Sequence, residues 1–340
     1  MSTAGERLSE AALTVNARIE SNMMLLTPAA LAVGFFYSGS LQAYILIVPY
    51  VFAYITFVMA LGCGLSDLGR AMRKPGLIAA VLVLAHVVLP VIAFGTGTLL
   101  FGTHSPYTHG LVLYTAIPLG VSSLIWIGMT GGNLPFALAL IVLDSMLSPL
   151  IVPATLELLF GAELVLNARG VFIDLLLIVV LPTLIGAALR DRRRAVAEAI
   201  RPVGLPLSKL AFLIVLALNA AAIAPYVLVW KADMPQLLPA ILLLIGAGYA
   251  GGALMIRRKL TRDRSLHQQE SQASLRLTMA YTVGIRNISL GLVIGLAYLS
   301  PQATVPIVLS ILLQQPVAAV VKRMTDKRRQ LGTWAKETRE

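Results

Sequence analysis

Three ionisable side chains lie near the middle of long apolar segments of this sequence. Arg286 lies within the segment from Ser274 to Tyr298, Asp144 within residues 133–159 and His86 within residues 76–101. A cation at the centre of a bilayer costs roughly 2.5–3.5 kcal/mol on insertion scales, so such a residue usually faces a bundle interior or a water-filled cavity. The three side chains therefore predict a buried polar site, where a guanidinium could bind an anion and a histidine and a carboxyl group could titrate.

An ion pair is the least costly way to keep both Asp144 and Arg286 charged in hydrocarbon. We therefore expect the two side chains to lie close together or to share a water cavity. His86 lies at a similar depth in its segment, and with Thr282 it completes the expected charge network. The alternative is that these groups only hold helices together.

The composition places these residues in a membrane protein. The chain of 340 residues is 58% hydrophobic and 13% charged, with a mean hydropathy of +0.83, which is too apolar for a soluble domain of this length. About 20 apolar residues span a bilayer as a helix. An all-α protein with ten spans is predicted, at residues 22–37, 42–64, 76–101, 110–129, 133–159, 171–189, 207–229, 236–256, 275–298 and 304–321.

The net charge of +11 follows the topology and does not indicate nucleic-acid binding. Basic residues are concentrated in alternate loops, whereas the other loops carry little more than Arg169 and Lys231. The positive-inside rule then places both termini, residues 1–21 and 322–340, on the cytoplasmic side of a bacterial-type cell membrane. The basic clusters are Arg70, Arg73 and Lys74; Arg190, Arg192, Arg193, Arg194 and Arg201; Arg257, Arg258, Lys259, Arg262 and Arg264; and Lys322, Arg323, Lys327, Arg328 and Arg329.

Two interrupted spans predict where the site lies. If the chain divides into halves of five spans, residues 22–160 and 171–321, the halves must be inverted relative to each other. Inverted repeats with broken helices at the midplane are common in secondary transporters. The fourth span contains Pro118 and Gly120 and the ninth contains Gly284, at matching places in the two halves. The polar residues beside these interruptions are the expected substrate contacts: Ser122, Ser123, Arg286 and Asn287.

Other amides in apolar spans are expected to form hydrogen bonds between helices. They are Asn219 in the seventh span, and Gln314 and Gln315 in the tenth.

Several stretches resemble the bile acid:sodium symporter family. They are Ile117-Pro118-Leu119-Gly120-Val121-Ser122-Ser123, Thr130-Gly131-Gly132-Asn133, Leu147-Ser148-Pro149-Leu150, Gly284-Ile285-Arg286-Asn287-Ile288-Ser289-Leu290 and Ala85-His86-Val87-Val88-Leu89-Pro90. The resemblance implies ten helices, with a panel from spans 1, 2, 6 and 7 and a core from spans 3–5 and 8–10. In the core, the broken fourth and ninth helices cross.

The sequence departs from that family at most positions that correspond to sodium ligands. Ser123 is kept, but the resemblance places Leu124, Ala137, Ile141, Thr282, Arg286 and His86 at the other ligand positions. Apolar side chains cannot bind a hard cation that requires oxygen. We interpret Arg286 as a replacement for a bound sodium ion, with transport independent of sodium or coupled to protons. The alternative is a sodium-coupled symporter of the same class, in which Ser123 and Thr282 would be ligands.

The function indicated is secondary transport of a small organic anion, bile-acid-like or another carboxylate, by alternating access. No cofactor and no nucleic-acid partner are expected, and no metal site is assigned. The protein lies in a lipid bilayer, and the sequence does not indicate its oligomeric state. An arsenite carrier is disfavoured because the only cysteine is Cys63, outside the fourth span. An intramembrane enzyme lacks its motifs, Asp-x-x-Asp, His-Glu-x-x-His or Gly-x-Ser-x-Gly, and nothing in the composition suggests a channel pore.

Overall fold

A computed structural model describes residues 4–161, 167–227, 233–259 and 269–337. Within these ranges the chain is helical apart from turns, short connections and one isolated β-bridge. The helices, in chain order, are α1 (Ala4–Phe36), α2 (Ser38–Ala60), α3 (Leu65–Ala71), α4 (Pro75–Phe101), α5 (Pro106–Ala116), α6 (Ser123–Met129), α7 (Leu134–Phe160), α8 (Ala168–Arg192), α9 (Arg194–Val227), α10 (Met234–Lys259), α11 (Gln269–Gly284), α12 (Ile288–Tyr298) and α13 (Val305–Glu337).

The protein is an all-α, multi-pass membrane protein. Within the described residues, seven helices are long and apolar enough to cross a bilayer. The number rises to eight if the bent α1 helix is counted as one span. The bend in α1, of 75°, lies between the segments Arg7–Met23 and Leu25–Phe36. The predicted fourth and ninth spans are each divided into two shorter helices, α5 with α6 and α11 with α12. The count of ten spans and the inverted repeat remain predictions.

Residues predicted as tails are partly helical. The α13 helix continues through Glu337, well beyond the predicted end of the tenth span. At the other end of the chain, Lys209 of α9 donates hydrogen bonds to Asn16 (2.5 Å) and to Glu20 of α1. Lys231, Arg262 and Arg264 of the predicted loops lie outside the described residues.

Two helices contain a π-turn, and each turn ends two residues before a proline. In α4 the π-turn covers Leu84–Val88 and overlaps the tetrapeptide Val87-Val88-Leu89-Pro90; in α8 it covers Leu176–Val180 and overlaps the same tetrapeptide, Val179-Val180-Leu181-Pro182. Proline has no N–H to donate within a helix, so carbonyl groups in the preceding turn lose a partner. In α8, the carbonyl oxygen of Ile178 accepts a hydrogen bond from the Thr56 hydroxyl at 3.1 Å.

In α4 the π-turn frees a particular carbonyl group. The backbone N–H of Leu89 donates to Leu84, five residues back, instead of to Ala85. The next residue, Pro90, has no N–H, so the carbonyl oxygen of Ala85 has no donor within its own helix. A donor from elsewhere is needed, because a buried carbonyl group without a partner is costly in a bilayer.

The long helices pack into two groups. One group contains α1, α2, α8 and α9, and the other contains α4, α5, α7, α10, α11 and α13, with α6 and α12. This grouping agrees with the panel and core that the family resemblance implies. Contacts of α7 with α8 and of α9 with α12 join the two groups.

Candidate functional site

The site is formed where two interrupted helices meet. The α5 helix ends at Ala116 because the next residues, Ile117 and Pro118, cannot continue it: proline has no N–H and disfavours a helical conformation in the residue before it. Ile117 is accordingly extended, with φ −60° and ψ 154°. The chain becomes helical again at Ser123, so residues 117–122 cross the interior outside any regular helix.

The second interruption supplies the missing backbone partners. Leu119 and Arg286 form an antiparallel β-bridge, in which the Gly120 N–H donates to the Ile285 carbonyl oxygen at 2.7 Å and the Asn287 N–H donates to the Pro118 carbonyl oxygen at 2.9 Å. Non-helical backbone is tolerated at this depth only when its polar groups are satisfied within the protein. The two breaks therefore depend on each other.

Gly120 makes the close approach possible. A Cβ atom at this position would lie 2.6 Å from the Arg286 carbonyl oxygen and 2.8 Å from its carbon. These distances are shorter than van der Waals contact, so no side chain fits while the bridge is formed.

Gln314 of α13 completes the backbone bonding of Arg286. Its Oε1 accepts a hydrogen bond from the Arg286 N–H at 2.9 Å, and its Nε2 donates to the Arg286 carbonyl oxygen at 3.4 Å. The side-chain amide of Gln314 thus bonds the Arg286 backbone as a neighbouring strand would. The expectation of an interhelical hydrogen bond for Gln314 is confirmed.

The Arg286 side chain is buried and donates to carbonyl groups of two other helices. Its Nη2 donates to the Ala85 oxygen at 2.9 Å, which is the carbonyl group freed by the π-turn of α4, and its Nη1 donates to the Ile117 oxygen at 3.2 Å. Arg286 is 3% exposed. The guanidinium therefore joins the ninth predicted span to the third and the fourth.

Asp144 lies in the middle of α7 and is completely buried. Its Oδ2 accepts a hydrogen bond from the Leu119 N–H at 2.7 Å, and its Oδ1 lies 2.5 Å from Nε2 of His86. The other ring nitrogen of His86, Nδ1, lies 3.2 Å from the carbonyl oxygen of Ala116. A carboxyl group, an imidazole and the crossing backbone therefore form one hydrogen-bonded chain.

Asp144 and Arg286 are close but are not joined directly. The hydrogen bonds of Asp144 go to His86 and Leu119, and those of the Arg286 guanidinium go to Ala85 and Ile117. Leu119 connects the two residues, because it donates to Asp144 and forms the bridge with Arg286. The sequence indicated the proximity but missed His86 as the partner of Asp144.

The other predicted site residues surround the crossing. Ser122 is half-buried, Asn287 is 8% exposed and precedes the first turn of α12, and Ser123 and Thr282 are fully buried. The hydroxyl groups of Ser123, Thr282 and Ser289 have no hydrogen-bond partner in the described part of the chain. Thr282 lies one helical turn before Arg286.

Aromatic side chains pack near the crossing. The ring of Trp126 stacks on that of Tyr281 with centroids 6.3 Å apart, and the Trp126 indole N–H donates to Gln315 Oε1 at 2.9 Å. The Tyr249 ring meets Tyr281 edge to face at 5.5 Å. Gln315 thus makes the interhelical hydrogen bond expected of it.

Asn219 of α9 is the polar residue that the sequence misjudged. It is 1% exposed, and neither its Oδ1 nor its Nδ2 has a hydrogen-bond partner among the described residues. The expected interhelical hydrogen bond is absent there. Asn219 lies in the group formed by α1, α2, α8 and α9, whereas the crossing lies in the other group. It is a candidate functional residue, since the free-energy cost of burying an unpaired amide must be offset by a functional requirement.

Comparison with known proteins agrees with this architecture. The profile of the Sodium Bile acid symporter family matches residues 49–230, which is more than half of the chain. The chain belongs to the sodium bile acid symporter family. Membership makes the protein a membrane transporter and not an enzyme. His86, Ser122, Ser123 and Asp144 lie within the matched range, whereas Arg286 and Gln314 lie beyond it.

Similar proteins include two from Bacillus subtilis (strain 168) and one from rice. "Uncharacterized protein YbaS" is 34% identical over 310 residues, covering 90% of this chain and 97% of the relative. "Uncharacterized sodium-dependent transporter YocS" is 27% identical over 262 residues, covering 74% of each. "Probable sodium/metabolite cotransporter BASS1, chloroplastic" of Oryza sativa subsp. japonica is 28% identical over 172 residues, covering 49% of this chain and 42% of the relative.

Proposed function

We propose that this protein is a secondary transporter of a small organic anion and that Arg286 takes the place of a bound sodium ion. The observation that carries the proposal is the buried guanidinium at the helix crossing, whose hydrogen bonds go to neutral carbonyl groups. A fixed cation in a low-dielectric region attracts an anion strongly. A carboxylate of the substrate would supply the charge that the carbonyl groups do not.

Further groups at the crossing favour an anion. The first turn of α12 begins at the crossing, and the free N–H groups of a helix N-terminus favour negative charge. Ser122 is half-buried and Asn287 is 8% exposed, so neither residue is fully enclosed. Ser122, Ser123, Arg286 and Asn287 are therefore the proposed contacts on the core side.

The panel side would contribute Asn219. Its amide can donate and accept, and neither atom has a partner in the described structure. The α9 helix that carries it packs against α12, which begins at the crossing. A substrate held between the two groups of helices would satisfy this amide, and rocking of one group against the other would give alternating access.

A sodium-coupled symporter is the second candidate, favoured by the names of two relatives and by two hydroxyl groups that have no partner in the described part of the chain. Ser123 and Thr282 could each offer an oxygen to sodium. Against a full site, Ala137 and Ile141 are buried apolar residues at two positions where the family resemblance places ligands. Charge balance also argues against sodium, because Arg286 already supplies a positive charge.

The wider arrangement in this proposal has ten spans in two inverted halves with both termini cytoplasmic, in the inner or plasma membrane. The two matched breaks in the fourth and ninth predicted spans support the inverted repeat. The clusters of basic residues in alternate loops support the orientation.

The test is uptake into proteoliposomes that contain the purified protein. Radiolabelled cholate and pantoate are suitable probes, because both are carboxylates of the proposed class. We expect exchange of a probe without sodium, and loss of exchange in Arg286→Ala. Arg286→Lys should restore it in part, since lysine keeps the charge but not the planar pair of donors. Strict dependence of wild-type uptake on sodium would overturn the replacement of sodium by Arg286.

A further inference from the structure

The contacts of His86 determine where its protons can be. A backbone carbonyl oxygen can only accept, so the Nδ1 atom that faces Ala116 must carry a hydrogen. The Nε2 atom faces Oδ1 of Asp144 at 2.5 Å, and a contact this short requires one hydrogen between the two atoms. Whether that hydrogen is drawn on the imidazole or on the carboxyl group, the pair as a whole is neutral.

Loss of this hydrogen would change both the charge and the contact. Two lone pairs would then face each other at Nε2 and Oδ1, so the contact would open. The pair would carry one negative charge on Asp144. That charge would lie within electrostatic reach of Arg286.

Among the described residues, Arg286 is the charge that interacts with Asp144. Arg286 also interacts with the phenol of Tyr114, and Tyr114 with that of Tyr249; both phenols are buried. His86 lines a groove of about 330 Å³ that opens between α4 and α7 towards the bilayer. The other residues that line this groove are Leu82, Val83, Val87, Ile151, Ala154, Thr155 and Leu158. Because this groove is apolar and faces lipid, protons would reach the pair from the side of the crossing.

We infer that His86 and Asp144 form a proton-binding site whose occupancy is coupled to anion binding at Arg286, so that one proton moves with each monoanion. This inference rests on the proposed function. With the proton bound, the pair is neutral, Arg286 is uncompensated and a carboxylate binds. Without the proton, Asp144 compensates Arg286 and the site has little affinity for an anion. Proton and anion therefore load and leave together, and the transported charge sums to zero.

Two substitutions should have opposite effects. In Asp144→Asn, the amide oxygen can still accept from Leu119 and the amide nitrogen can donate to Nε2 of His86, so this variant resembles the protonated pair permanently. We expect its exchange of cholate or pantoate across the membrane to be independent of pH. Accumulation driven by a proton gradient should be lost. In His86→Gln, Asp144 stays charged beside Arg286, and the half-saturating probe concentration for exchange at neutral pH should rise at least tenfold.

The experiment uses proteoliposomes without sodium and with the membrane potential clamped by potassium and valinomycin. An acidic exterior should drive accumulation of the probe by the wild type and by the control Glu198→Gln, an exposed carboxylate of α9. Changing the clamped potential should alter the wild-type rate by less than twofold. Exchange that is insensitive to the proton gradient in the wild type, or equal pH profiles in the wild type and Asp144→Asn, would overturn the inference while leaving the proposed function intact.

A measurement without substrate separates the two proposals. Infrared difference spectra of the reconstituted protein, recorded during a pH titration, should contain a carboxyl or imidazolium signal that is lost in Asp144→Asn and kept in Glu198→Gln. Absence of such a signal in the wild type overturns the proton site. Absence of any probe exchange, with the signal present, instead counts against the proposed function.

Discussion

The side-chain amide of Gln314 binds both the N–H and the carbonyl oxygen of Arg286. A backbone segment that leaves a helix inside a membrane must find other partners for these groups. Gln314 supplies both, and this allows a residue with an ionic side chain to occupy the break without losing backbone hydrogen bonds.

Replacement of Gln314 by Ala should therefore destabilise the protein. A buried N–H and a buried carbonyl group each cost about 1–3 kcal/mol when left unpaired, and the apparent Tm in detergent should fall. The matched control is Gln315→Ala on the same helix, which removes a half-buried hydrogen bond to Trp126 and should lower the Tm less. Equal effects of the two substitutions would contradict the role given to Gln314.

Gly120→Ala should prevent the crossing from forming. Its Cβ would overlap the Arg286 carbonyl group, and neither backbone segment can move away without breaking the bridge. The control is Gly128→Ala in α6, where the nearest atom to a new Cβ is the Leu134 side chain at 3.5 Å. Size-exclusion chromatography should detect loss of monodisperse protein for Gly120→Ala alone. Normal yield and Tm for that variant would show that the segments can separate.

Asn219→Leu should separate stability from transport. Removal of an unpaired buried amide should raise the stability by about 1 kcal/mol or more, whereas uptake should fall if the amide binds substrate. Thr183→Val is the control, because Thr183 of α8 is also buried and its hydroxyl has no hydrogen-bond partner among the described residues. It should gain stability without loss of uptake. Unchanged uptake in Asn219→Leu would remove Asn219 from the site.

Asp67 in α3 should contribute a pH-dependent part of the stability. Partial burial acts to raise the pKa of its carboxyl group, but the Gly64 N–H and the Arg70 guanidinium outweigh this effect and lower the pKa. The carboxylate therefore stabilises the fold above its unfolded pKa, about 3.9, and this stabilisation is lost as the pH falls through the folded pKa.

Melting curves between about pH 3 and pH 7 test this contribution. Asp67→Asn should lower the Tm near neutral pH and show a smaller further decrease on acidification than the wild type. Glu10→Gln, on an exposed part of α1, is the control and should follow the wild-type curve. Parallel curves for Asp67→Asn and the wild type would be evidence against the linkage.

The broken helices could be predicted because their causes are local. Pro118 lacks an N–H group and Gly120 permits close backbone approach, so the interruption of the fourth predicted span is visible in the sequence. The polar residues Arg286 and Asn287 marked the second break in the same way. Depth along each helix also placed His86, Asp144 and Arg286 at one level.

The pairing of these residues could not be predicted, because it depends on how the helices are rotated against each other. Asp144 has His86 as its partner, although a carboxylate and a guanidinium are the stronger pair by charge alone. The π-turn of α4 had a sequence signal in the repeated Val-Val-Leu-Pro. That pattern indicates a distorted helix but does not specify which carbonyl group is freed, nor that Arg286 would reach it.

The carbonyl group freed by this π-turn also bears on how the protein is made. Both acceptors of the Arg286 guanidinium, Ala85 and Ile117, are synthesised in the first half of the chain, and the arginine follows in the second half. When the ninth span enters the membrane, it needs acceptors that are already inserted. The second half expressed alone would carry an arginine whose guanidinium lacks both of these acceptors and should be degraded, and co-expression of residues 1–165 should rescue it. The first half, which is synthesised first, thus supplies the carbonyl acceptors that the second half needs to complete its folding.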